Sequence, residues 1–365
     1  MSRILITGGA GFIGSHLCRR FLADGYEVIC VDNFISGSRD NLTELLSNPK
    51  FTLIEHDICQ PLTMSHQLSA ILHFACPASP NPASPISYMA HPVETLMVNS
   101  VGSKNMLDLA LQNDCQIIFA STSEVYGDPL VHPQTEEYRG NVSCIGPRAC
   151  YDEGKRFMEA LAFTYFRQFQ AKIKVIRIFN TYGPYMRLDD GRFTINLIDA
   201  YVSHKPFMMY GDGSSTRSFC YIDDLIEGIA LVHAKDQSIG QVLNLGNPQE
   251  LKLSEAIAIF EEIIGASLPK EYVDSPVDDP KKRNPDIRKA KDILHWEPKV
   301  DFKAGMTQML THYQPLTINH YATESSHCHP DLQRSRQRRS SYFRSRPSFQ
   351  ALHRIRHTYS LCRRQ

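Results

Sequence analysis

The segment RILITGGAGFIG, residues 3–14, decides the fold that the rest of the chain must follow. It begins as a short apolar strand, Arg3–Thr7, and passes into a glycine-rich turn that opens a helical segment over residues 15–24. A second predicted strand, Glu27–Val31, ends in Asp32. A strand before the glycines, a helix after them and an acid at the end of the next strand together predict a dinucleotide-binding βαβ unit.

Each glycine of this turn has its own geometric use. Gly8 permits the tight turn, Gly11 lets the backbone approach a pyrophosphate, and Gly14 lets the helix pack closely on the strand. The pyrophosphate would accept N–H bonds at the helix N-terminus, where the helix dipole favours anions. Asp32 can accept hydrogen bonds from the adenosine ribose and would repel a 2′-phosphate, so the sequence predicts NAD in preference to NADP. The alternative is a glycine turn that binds no ligand, which the surrounding elements disfavour.

The alternation of strands and helices continues along the chain. A strand at Phe51–Glu55 leads to Asp57, which we expect near the adenine. Further strands are predicted at Ala70–Ala75 and Gln116–Ala120, separated by a helix over residues 93–113. Parallel strands joined by helices predict an α/β fold, a doubly wound parallel Rossmann sheet with a smaller α/β substrate-binding lobe. We therefore expect ligands at the carboxyl ends of the strands.

The chain divides by composition into a body and a tail. We expect an NAD-binding Rossmann domain over 1–180 and mainly the substrate-binding lobe over 181–314, with some segments returning to the sheet. Residues 315–365 hold ten Arg, no Lys and two acids, a balance of +8, which leaves −8 on the body because the whole chain is neutral. With no sustained hydrophobic period, the tail is predicted to be disordered. It is either a nucleic-acid-binding arm or an unstructured extension, and the acidic body favours the second.

Composition also narrows the compartment and the class of protein. Among the 365 residues no apolar run approaches the length of a membrane span. The N-terminus enters a predicted strand at once, so we expect no signal peptide. The ten Cys are scattered without a C-x-x-C pair, so we expect reduced thiols in a cytoplasmic protein. No cluster of potential ligands predicts a metal site.

Candidate catalytic residues follow the predicted strand Gln116–Ala120. The segment STSEVYG, residues 121–127, comes directly after it, and further on Tyr151 and Lys155 stand four residues apart on a predicted helix. Residues at that spacing share one helix face. An ammonium beside a phenol favours phenolate and would lower the phenol pKa from about 10. Such a tyrosine can take a proton from a substrate hydroxyl while a hydride leaves the same carbon for NAD.

The whole pattern resembles a known family. The segments that carry the similarity are GGAGFIGSHL (8–17), VDNFISG (31–37), ACPASP (75–80), STSEVYGDPLVHPQTE (121–136), GPRACYDEGKR (146–156), RIFNTYGPYMRLDDGR (177–192), YGDGSSTRSFCYIDDL (210–225), LGNP (245–248) and DDPKKRNPDIRKAK (278–291). The chain resembles the extended short-chain dehydrogenases/reductases that act on nucleotide sugars, the NAD-dependent epimerase/dehydratase group. Within that group it is most similar to the UDP-glucuronate decarboxylases, and the similarity runs from about Ile4 to Tyr313.

This resemblance implies a function with defined alternatives. The expected reaction is conversion of UDP-glucuronate to UDP-xylose through C4 oxidation, loss of CO2 and re-reduction, in a homodimer formed through helices 93–113 and 151–169. The first alternative is a UDP-sugar 4-epimerase or a nucleotide-sugar 4,6-dehydratase. Ser123 stands where the dehydratases carry an Asp, which weakens the dehydratase interpretation. A non-catalytic NAD-binding or RNA-associated protein is the alternative from another class.

The resemblance also implies roles for individual residues. Tyr151 would be the C4 acid/base with Lys155 as its electrostatic partner, Thr122 and Ser123 would bond the C4 oxygen, Glu124 would act close to C5 and C6, and Arg283 would meet the sugar carboxylate. We expect the cofactor to contact Gly8, Gly11, Phe12, Ile13, Gly14, Asp32, Asn33, Ser36, Gly37, Asp57, Ile58, Phe74, Ala75, Ala120, Tyr151, Lys155 and Thr181. We expect the substrate to contact Tyr88, Asn105, Asn180, Arg192, Tyr210, Arg217 and Arg283.

One loop departs from the family pattern. The sequence PASP occurs twice, at 77–80 and 82–85, with Asn81 between the two copies. The family loop carries it once, so the loop that covers the sugar is longer in this chain. Its individual contacts therefore cannot be carried over from the resemblance.

Overall fold

A parallel sheet is the centre of the fold. The computed structural model describes residues 2–273 and 283–325, the side chains of 315–325 excepted. Its strands are β1 Arg3–Thr7, β2 Glu27–Asp32, β3 Phe51–Glu55, β4 Ala70–His73, β5 Gln116–Thr122, β6 Ile173–Ile178, β7 Thr181–Tyr182, β8 Phe207–Tyr210, β9 Thr216–Ser218, β10 Cys220–Tyr221, β11 Val242–Leu245, β12 Glu250–Lys252 and β13 Lys270–Val273. Seven of them form the large sheet in the order β11-β6-β5-β4-β1-β2-β3. All of its pairings are parallel.

The strand order places a switch point beside β1. Thr7 at its end lies opposite both Val31 of β2 and His73 of β4, the strands on its two sides. The chain therefore winds outward in one direction through β2 and β3 and in the other through β4, β5 and β6. A crevice opens at the carboxyl ends of strands where the winding reverses, and ligands of such folds bind there. The predicted doubly wound α/β fold is confirmed.

Helices cover both faces of this sheet. They are α1 Phe12–Ala23, α2 Pro92–Met97, α3 Ser103–Gln112, α4 Ala149–Phe169, α5 Phe193–Val202, α6 Ile222–Ala234, α7 Leu253–Ile264, α8 Arg288–Leu294 and α9 Phe302–Ser325, with single turns at Arg39–Leu42, Ser123–Tyr126 and Asp236–Ser238. Successive strand residues point to opposite faces, so Ile4 and Ile6 pack into one hydrophobic cluster and Leu5 into another. Burial on both faces explains why the strands are nearly continuous apolar runs.

The second half of the chain supplies smaller strand pairs and one strand of the large sheet. β7 pairs with β10, β8 with β13 and β9 with β12. β11 lies beside β6 in the large sheet. Residues 1–314 form one compact unit and 315–365 a second. The division of the first unit at residue 180 stays a prediction.

The helix predicted over 93–113 is interrupted. A π-helical turn, Val98–Gly102, separates α2 from α3 and places the side chain of Asn99 towards α4. Asn99 is fully buried, and its Nδ2 donates to the carbonyl of Thr95 at 2.8 Å and to the sulfur of Cys76 at 3.2 Å. The same amide lies over Gly154, where a Cβ would come within 3.3 Å of Nδ2. Such turns occur often at functional sites.

The predicted disordered tail falls mostly outside the described residues. Helix α9 runs to Ser325, past the boundary expected at Gln314, where the two compact units also divide. Residues 326–365, with all ten arginines of the tail, are not described, and the disorder expected of them stays a prediction. No helix in the described part of the chain is long and apolar enough to cross a bilayer.

Acid should destabilise the fold through a buried histidine at the end of β4. The ring of His73 bonds the hydroxyls of Thr7 (2.8 Å) and Ser103 (3.1 Å), and burial lowers its pKa to about 3. An unfolded histidine titrates near pH 6.5, so between these values the unfolded chain binds more protons. The contribution of neutral His73 to the free energy of unfolding is complete above pH 6.5 and is lost as the pH falls towards 3. At pH 5 we expect it to have lowered the free energy of unfolding by about 2 kcal/mol.

Urea unfolding at pH 7 and pH 5 measures this effect. His73→Gln can still form hydrogen bonds but cannot titrate, so the stability lost between the two pH values should shrink by about 2 kcal/mol. His66→Gln is the matched control because His66 is exposed, and it should leave the loss unchanged. An equal loss in the His73 variant and the unmodified protein would contradict the prediction.

Candidate active site

The turn between β1 and α1 has the close packing that its glycines predict. Gly8 has φ +71°, and a Cβ there would lie 2.7 Å from the backbone of Ala75. A Cβ on Gly14 would come within 2.0 Å of the carbonyl oxygen of Gly8. The amide of Gly11 donates to that same carbonyl at 3.1 Å. Side chains are excluded at these positions, so the backbone at the start of α1 is open to a ligand.

The carboxylate of Asp32 lies at the end of β2 beside this turn. Its oxygens accept hydrogen bonds from the amides of Ala10 (2.9 Å) and Phe34 (2.8 Å). Burial raises the pKa of Asp32, and the two N–H donors act in the opposite direction. A Cβ on Gly37 would come within 2.9 Å of the carboxylate, so Gly37 packs on Asp32. The acid is held by backbone donors at the place where the ribose of a bound dinucleotide is expected.

A cavity of about 900 Å³ runs from the glycine turn past the ends of the strands. The structure places around it all of the predicted cofactor, substrate and catalytic residues except Gly37 and Asn105. Asn105 lies outside the cavity on α3, and its Nδ2 donates to the carbonyl of Ile58 at 2.8 Å. Its amide holds the loop after β3, and the contact of Asn105 with substrate stays a prediction. Gly37 does not line the cavity either, since it packs behind Asp32.

Tyr151 and Lys155 face the cavity from α4. The ring of Tyr151 stacks on that of Tyr88 with centroids 4.8 Å apart and an interplanar angle of 14°. Lys155 is buried, and its Nζ donates to the carbonyl of Ala120 at 2.8 Å. The same Nζ lies 5.9 Å from the centre of the Tyr151 ring. The tyrosine, the lysine and the end of β5 therefore meet at one point of the cavity wall.

The expected lowering of the Tyr151 pKa is absent. Burial raises the pKa of Tyr151 above its usual value of 10, with a further rise from the neighbouring Cys76 thiol, while a hydrogen bond with Thr122 acts in the opposite direction. Burial also lowers the pKa of Lys155. Removal of both groups from water disfavours their charged forms. For the pKa of Tyr151 this effect outweighs the attraction between phenolate and the nearby Lys155, on which the sequence prediction relied.

Glu124 is held by two arginines. Arg283 pairs with both carboxylate oxygens, and its Nη2 lies 3.0 Å from Oε2. Arg148 pairs with the same Oε2. Burial lowers the pKa of Arg283 to about 10, far enough above neutrality for the guanidinium to stay charged at pH 7. A carboxylate and a buried guanidinium thus stand together beside Thr122 and Ser123.

Arg148 is a site residue that the sequence reasoning missed. It lines the cavity and precedes Tyr151 by three residues, at the N-terminal end of α4. Its Nε also lies 3.9 Å from the carboxylate of Asp152. The available signal was the segment GPRACYDEGKR, in which the arginine stands close before the tyrosine.

The lengthened loop is fastened to the segment before α5. Ser79 Oγ donates to the carbonyl of Asp190 at 2.6 Å, and Asn81 Nδ2 donates to the carbonyl of Asp189 at 3.1 Å. Arg192 completes the contact, because its Nη2 donates to the carbonyl of Ala78 at 2.6 Å while Nη1 bonds the Asp190 carboxylate at 2.7 Å. Asn81, the residue between the two PASP copies, therefore joins the loop to the opposite wall of the cavity.

The remaining predicted substrate residues lie on the walls built by the second half. Asn180 follows β6, its carbonyl accepts from the amide of Cys220 at 2.8 Å, and it faces the cavity together with Tyr210 and Arg217. The side chain of Tyr210 is half exposed. The hydroxyl of Tyr88 is buried and has no hydrogen-bond partner among the described residues. Within the same residues no group of three or more His, Cys, Asp or Glu is placed to hold a metal ion.

These features fit NAD. The glycine cradle leaves room for a pyrophosphate, and the Asp32 carboxylate is available to ribose hydroxyls. A 2′-phosphate at that carboxylate would face like charge, which costs several kcal/mol. We therefore expect the protein to bind NADP at least about tenfold more weakly than NAD.

Titration of the cofactor-free protein with each dinucleotide measures this preference. Asp32→Ala combined with Asn33→Arg should reduce the difference between the Kd values for NAD and NADP, since the double variant removes the carboxylate and adds a cation at a cavity-lining position. The matched control is Asp40→Ala, which removes an exposed carboxylate from the single-turn helix Arg39–Leu42. Equal affinity of the unmodified protein for NAD and NADP would show that the role given to Asp32 is wrong.

The sequence is similar to a known family and to individual proteins. Residues 4–246 match the model of the NAD dependent epimerase/dehydratase family. UDP-glucuronic acid decarboxylase 1 of Arabidopsis thaliana is 46% identical over 87% of this chain and 71% of its own length. UDP-glucuronic acid decarboxylase 1 of Xenopus tropicalis is 43% identical over 88% of this chain and 74% of its own length.

Solved structures agree on the fold. The UDP-glucuronic acid 4-epimerase of Bacillus cereus, in complex with UDP-glucuronic acid and NAD, superposes with a TM-score of 0.76 at 28% identity, over 86% of this chain and 99% of that one. The dTDP-glucose 4,6-dehydratase DesIV of Streptomyces venezuelae, with NAD bound, gives a TM-score of 0.77 at 27% identity over the same shares.

Proposed function

The chain belongs to the NAD-dependent epimerase/dehydratase family, and from this membership we infer that it catalyses the NAD-dependent decarboxylation of UDP-glucuronate to UDP-xylose. The relatives that are 43–46% identical over most of the chain are decarboxylases of this kind. The observation that carries the proposal is the buried Arg283 beside Glu124, at the end of the cavity where Tyr151 lies. A guanidinium at that place suits a sugar whose C6 is a carboxylate.

The chemistry requires oxidation before the carbon–carbon bond breaks. NAD, when bound, accepts a hydride from C4 of the sugar and returns it at the end. Tyr151 takes the proton of the C4 hydroxyl, and Thr122 and Ser123 bond the C4 oxygen. The resulting ketone is β to the C6 carboxylate, so the C5–C6 bond can break with its electrons moving into the ketone as an enolate while CO2 leaves. C5 then takes up a proton from solvent, and Tyr151 returns its own proton to the C4 oxygen as the hydride comes back to C4.

The remaining polar residues position these steps. Lys155 is fixed by the carbonyl of Ala120 and holds its Nζ near the ring of Tyr151. Arg283 orients the C6 carboxylate, so that the bond to be broken lies out of the plane of the ketone. Glu124, held by Arg283 and Arg148, lies next to Ser123 and so close to C5 and C6. Arg192 and Asn180 line the part of the cavity where we place the diphosphate.

Product analysis tests this proposal. The protein incubated with NAD and UDP-glucuronate should release CO2 and form UDP-xylose, while UDP-glucose, which has a C4 hydroxyl but no carboxylate, should give no CO2. UDP-galacturonate without CO2 release would identify a 4-epimerase instead. A 4-keto-6-deoxy sugar from UDP-glucose would identify a 4,6-dehydratase. We do not expect this product, because Ser123 stands where the dehydratases carry an aspartic acid.

A homodimer and a cytoplasmic setting belong to the same proposal. Apolar side chains are exposed on α2 and α4, among them Val93 (64%) and Phe157 (52%). Exposed apolar surface on neighbouring helices is typical of a protein–protein interface. The free thiols of Cys18, Cys30 and Cys115 suit a reducing compartment.

A further inference from the structure

Gln134 makes an unusual set of contacts for a residue outside the cavity. It is fully buried and does not line the site. Its amide donates to the carbonyl of Asn284, and its carbonyl accepts from the amide of Asp286, each at 2.9 Å. Its side-chain Oε1 accepts from the amide of Asn284, also at 2.9 Å. All three bonds go to the segment that directly follows Arg283.

Two further side chains fix the same segment. Asn244, on β11, donates through Nδ2 to the carbonyls of Gln134 (3.0 Å) and Asp286 (3.1 Å). Its Oδ1 accepts from the hydroxyl of Tyr126 at 2.7 Å. Ser218 Oγ donates to the carbonyl of Arg283 itself at 3.3 Å. The backbone that carries Arg283 is thus hydrogen-bonded to the edge strand of the large sheet, and Gln134 takes part in most of these hydrogen bonds.

Arg283 depends on this support more than most residues would. Its side chain is long and flexible, yet it is 5% exposed and aimed at Glu124 and Ser123. A guanidinium recognises a carboxylate through a fork of fixed geometry, so a displacement of about 1 Å at its base degrades the match. We propose that Gln134 is a positioning residue for Arg283 and thereby sets the preference for a sugar with a C6 carboxylate. This inference rests on the proposed function.

Gln134→Met tests the proposal, because it keeps the volume and removes the side-chain bonds. Discrimination is measured as the ratio of the Kd values for UDP-glucuronate and UDP-glucose, two ligands that differ by the carboxylate. Loss of a buried hydrogen bond that holds the arginine should shift this ratio by about tenfold against UDP-glucuronate. The kcat/KM for CO2 release should fall by about the same factor. The affinity for UDP-glucose should change by less than about twofold.

Gln116→Met is the matched control. Gln116 is a half-buried glutamine that also joins two segments, because its Nε2 donates to the carbonyl of His233 at 3.1 Å. It does not line the cavity. A general loss of stability would move both variants alike. Discrimination should therefore change in the Gln134 variant and stay unchanged in the Gln116 variant. An equal change in both would overturn the proposal.

A double-mutant cycle separates positioning from a purely structural role. If Gln134 acts through Arg283, then Gln134→Met added to Arg283→Ala should shift the Kd ratio by less than about twofold. A second tenfold shift in that background would overturn the proposal. If Gln134→Met does not fold, Ser218→Ala removes only the hydroxyl bonded to the carbonyl of Arg283, and it should shift the ratio by about twofold to threefold. An unshifted ratio there would overturn it as well.

The proposal and the function on which it rests fail in different ways. If the unmodified protein releases no CO2 from UDP-glucuronate, the proposed function is wrong. If it does release CO2 but Gln134→Met discriminates as the unmodified protein does, only the role of Gln134 is wrong.

Discussion

Replacing Tyr151 by phenylalanine should reduce CO2 release from UDP-glucuronate by about 10²–10⁴-fold, the usual contribution of a general acid–base group. In the proposed mechanism the phenol removes the C4 proton, and without C4 oxidation no ketone forms to accept the electrons of the C5–C6 bond. Neither CO2 nor NADH should therefore accumulate. The ring is retained, so its stacking on Tyr88 persists and the affinity for UDP-glucuronate should change little.

Tyr165→Phe is the control for this variant. Tyr165 lies on the same helix, and its hydroxyl donates to the carboxylate of Asp108 at 2.7 Å, outside the cavity. Its loss should leave turnover within about twofold, since a hydroxyl outside the cavity takes no part in the chemistry. CO2 release by Tyr151→Phe at more than a tenth of the normal rate would mean that another group removes the C4 proton.

Replacing Arg283 by alanine should separate oxidation from decarboxylation. The variant leaves Glu124 paired with Arg148 and removes the cation that we propose meets the substrate carboxylate. Truncation of one partner of a buried charge pair costs 2–5 kcal/mol or more, so the kcat/KM for CO2 release should fall by about 10²-fold. C4 oxidation does not need this arginine. NADH and a 4-keto sugar should therefore still form, at a rate that falls less than CO2 release does.

Arg288→Ala provides the matched control on the same stretch of chain. Its side chain is 82% exposed and pairs with Asp286. An exposed ion pair is screened by solvent and contributes little to stability, so this variant should decarboxylate normally. Parallel loss of NADH formation and CO2 release in Arg283→Ala would show that the arginine holds the whole substrate in place and has no special relation to its carboxylate.

The parts of the molecule that the sequence could predict are those decided by short spacings. A strand, three glycines, a helix and Asp32 fall within one βαβ unit, and their geometry follows from backbone sterics and helix polarity. Helix α7, Leu253–Ile264, buries residues at the three- and four-residue spacing of one helix face, and that spacing is local in the sequence. The placement of Tyr151 and Lys155 on one helix face has the same local origin.

The remaining features depend on residues far apart in the chain. Glu124 and Arg283 are separated by 159 positions, and no local pattern shows that Arg148 is the second arginine on the same carboxylate. The pKa of Tyr151 could not be predicted from its distance to Lys155, because burial of both groups decides its direction. Asn105 has the residue type of a substrate contact but faces the carbonyl of Ile58, a matter of helix rotation that the sequence does not reveal.

The contact between Asn99 and Gly154 limits how this sequence can change over evolution. Gly154 stands between Tyr151 and Lys155, and an added methyl there would come within 3.3 Å of the Asn99 amide. That approach is tighter than nine in ten such contacts, so a side chain at 154 requires the Asn99 amide or the backbone of α4 to shift by a few tenths of an ångström. A shift of α4 would move the tyrosine and the lysine with it, so we expect the residue types at positions 99 and 154 to change together in evolution.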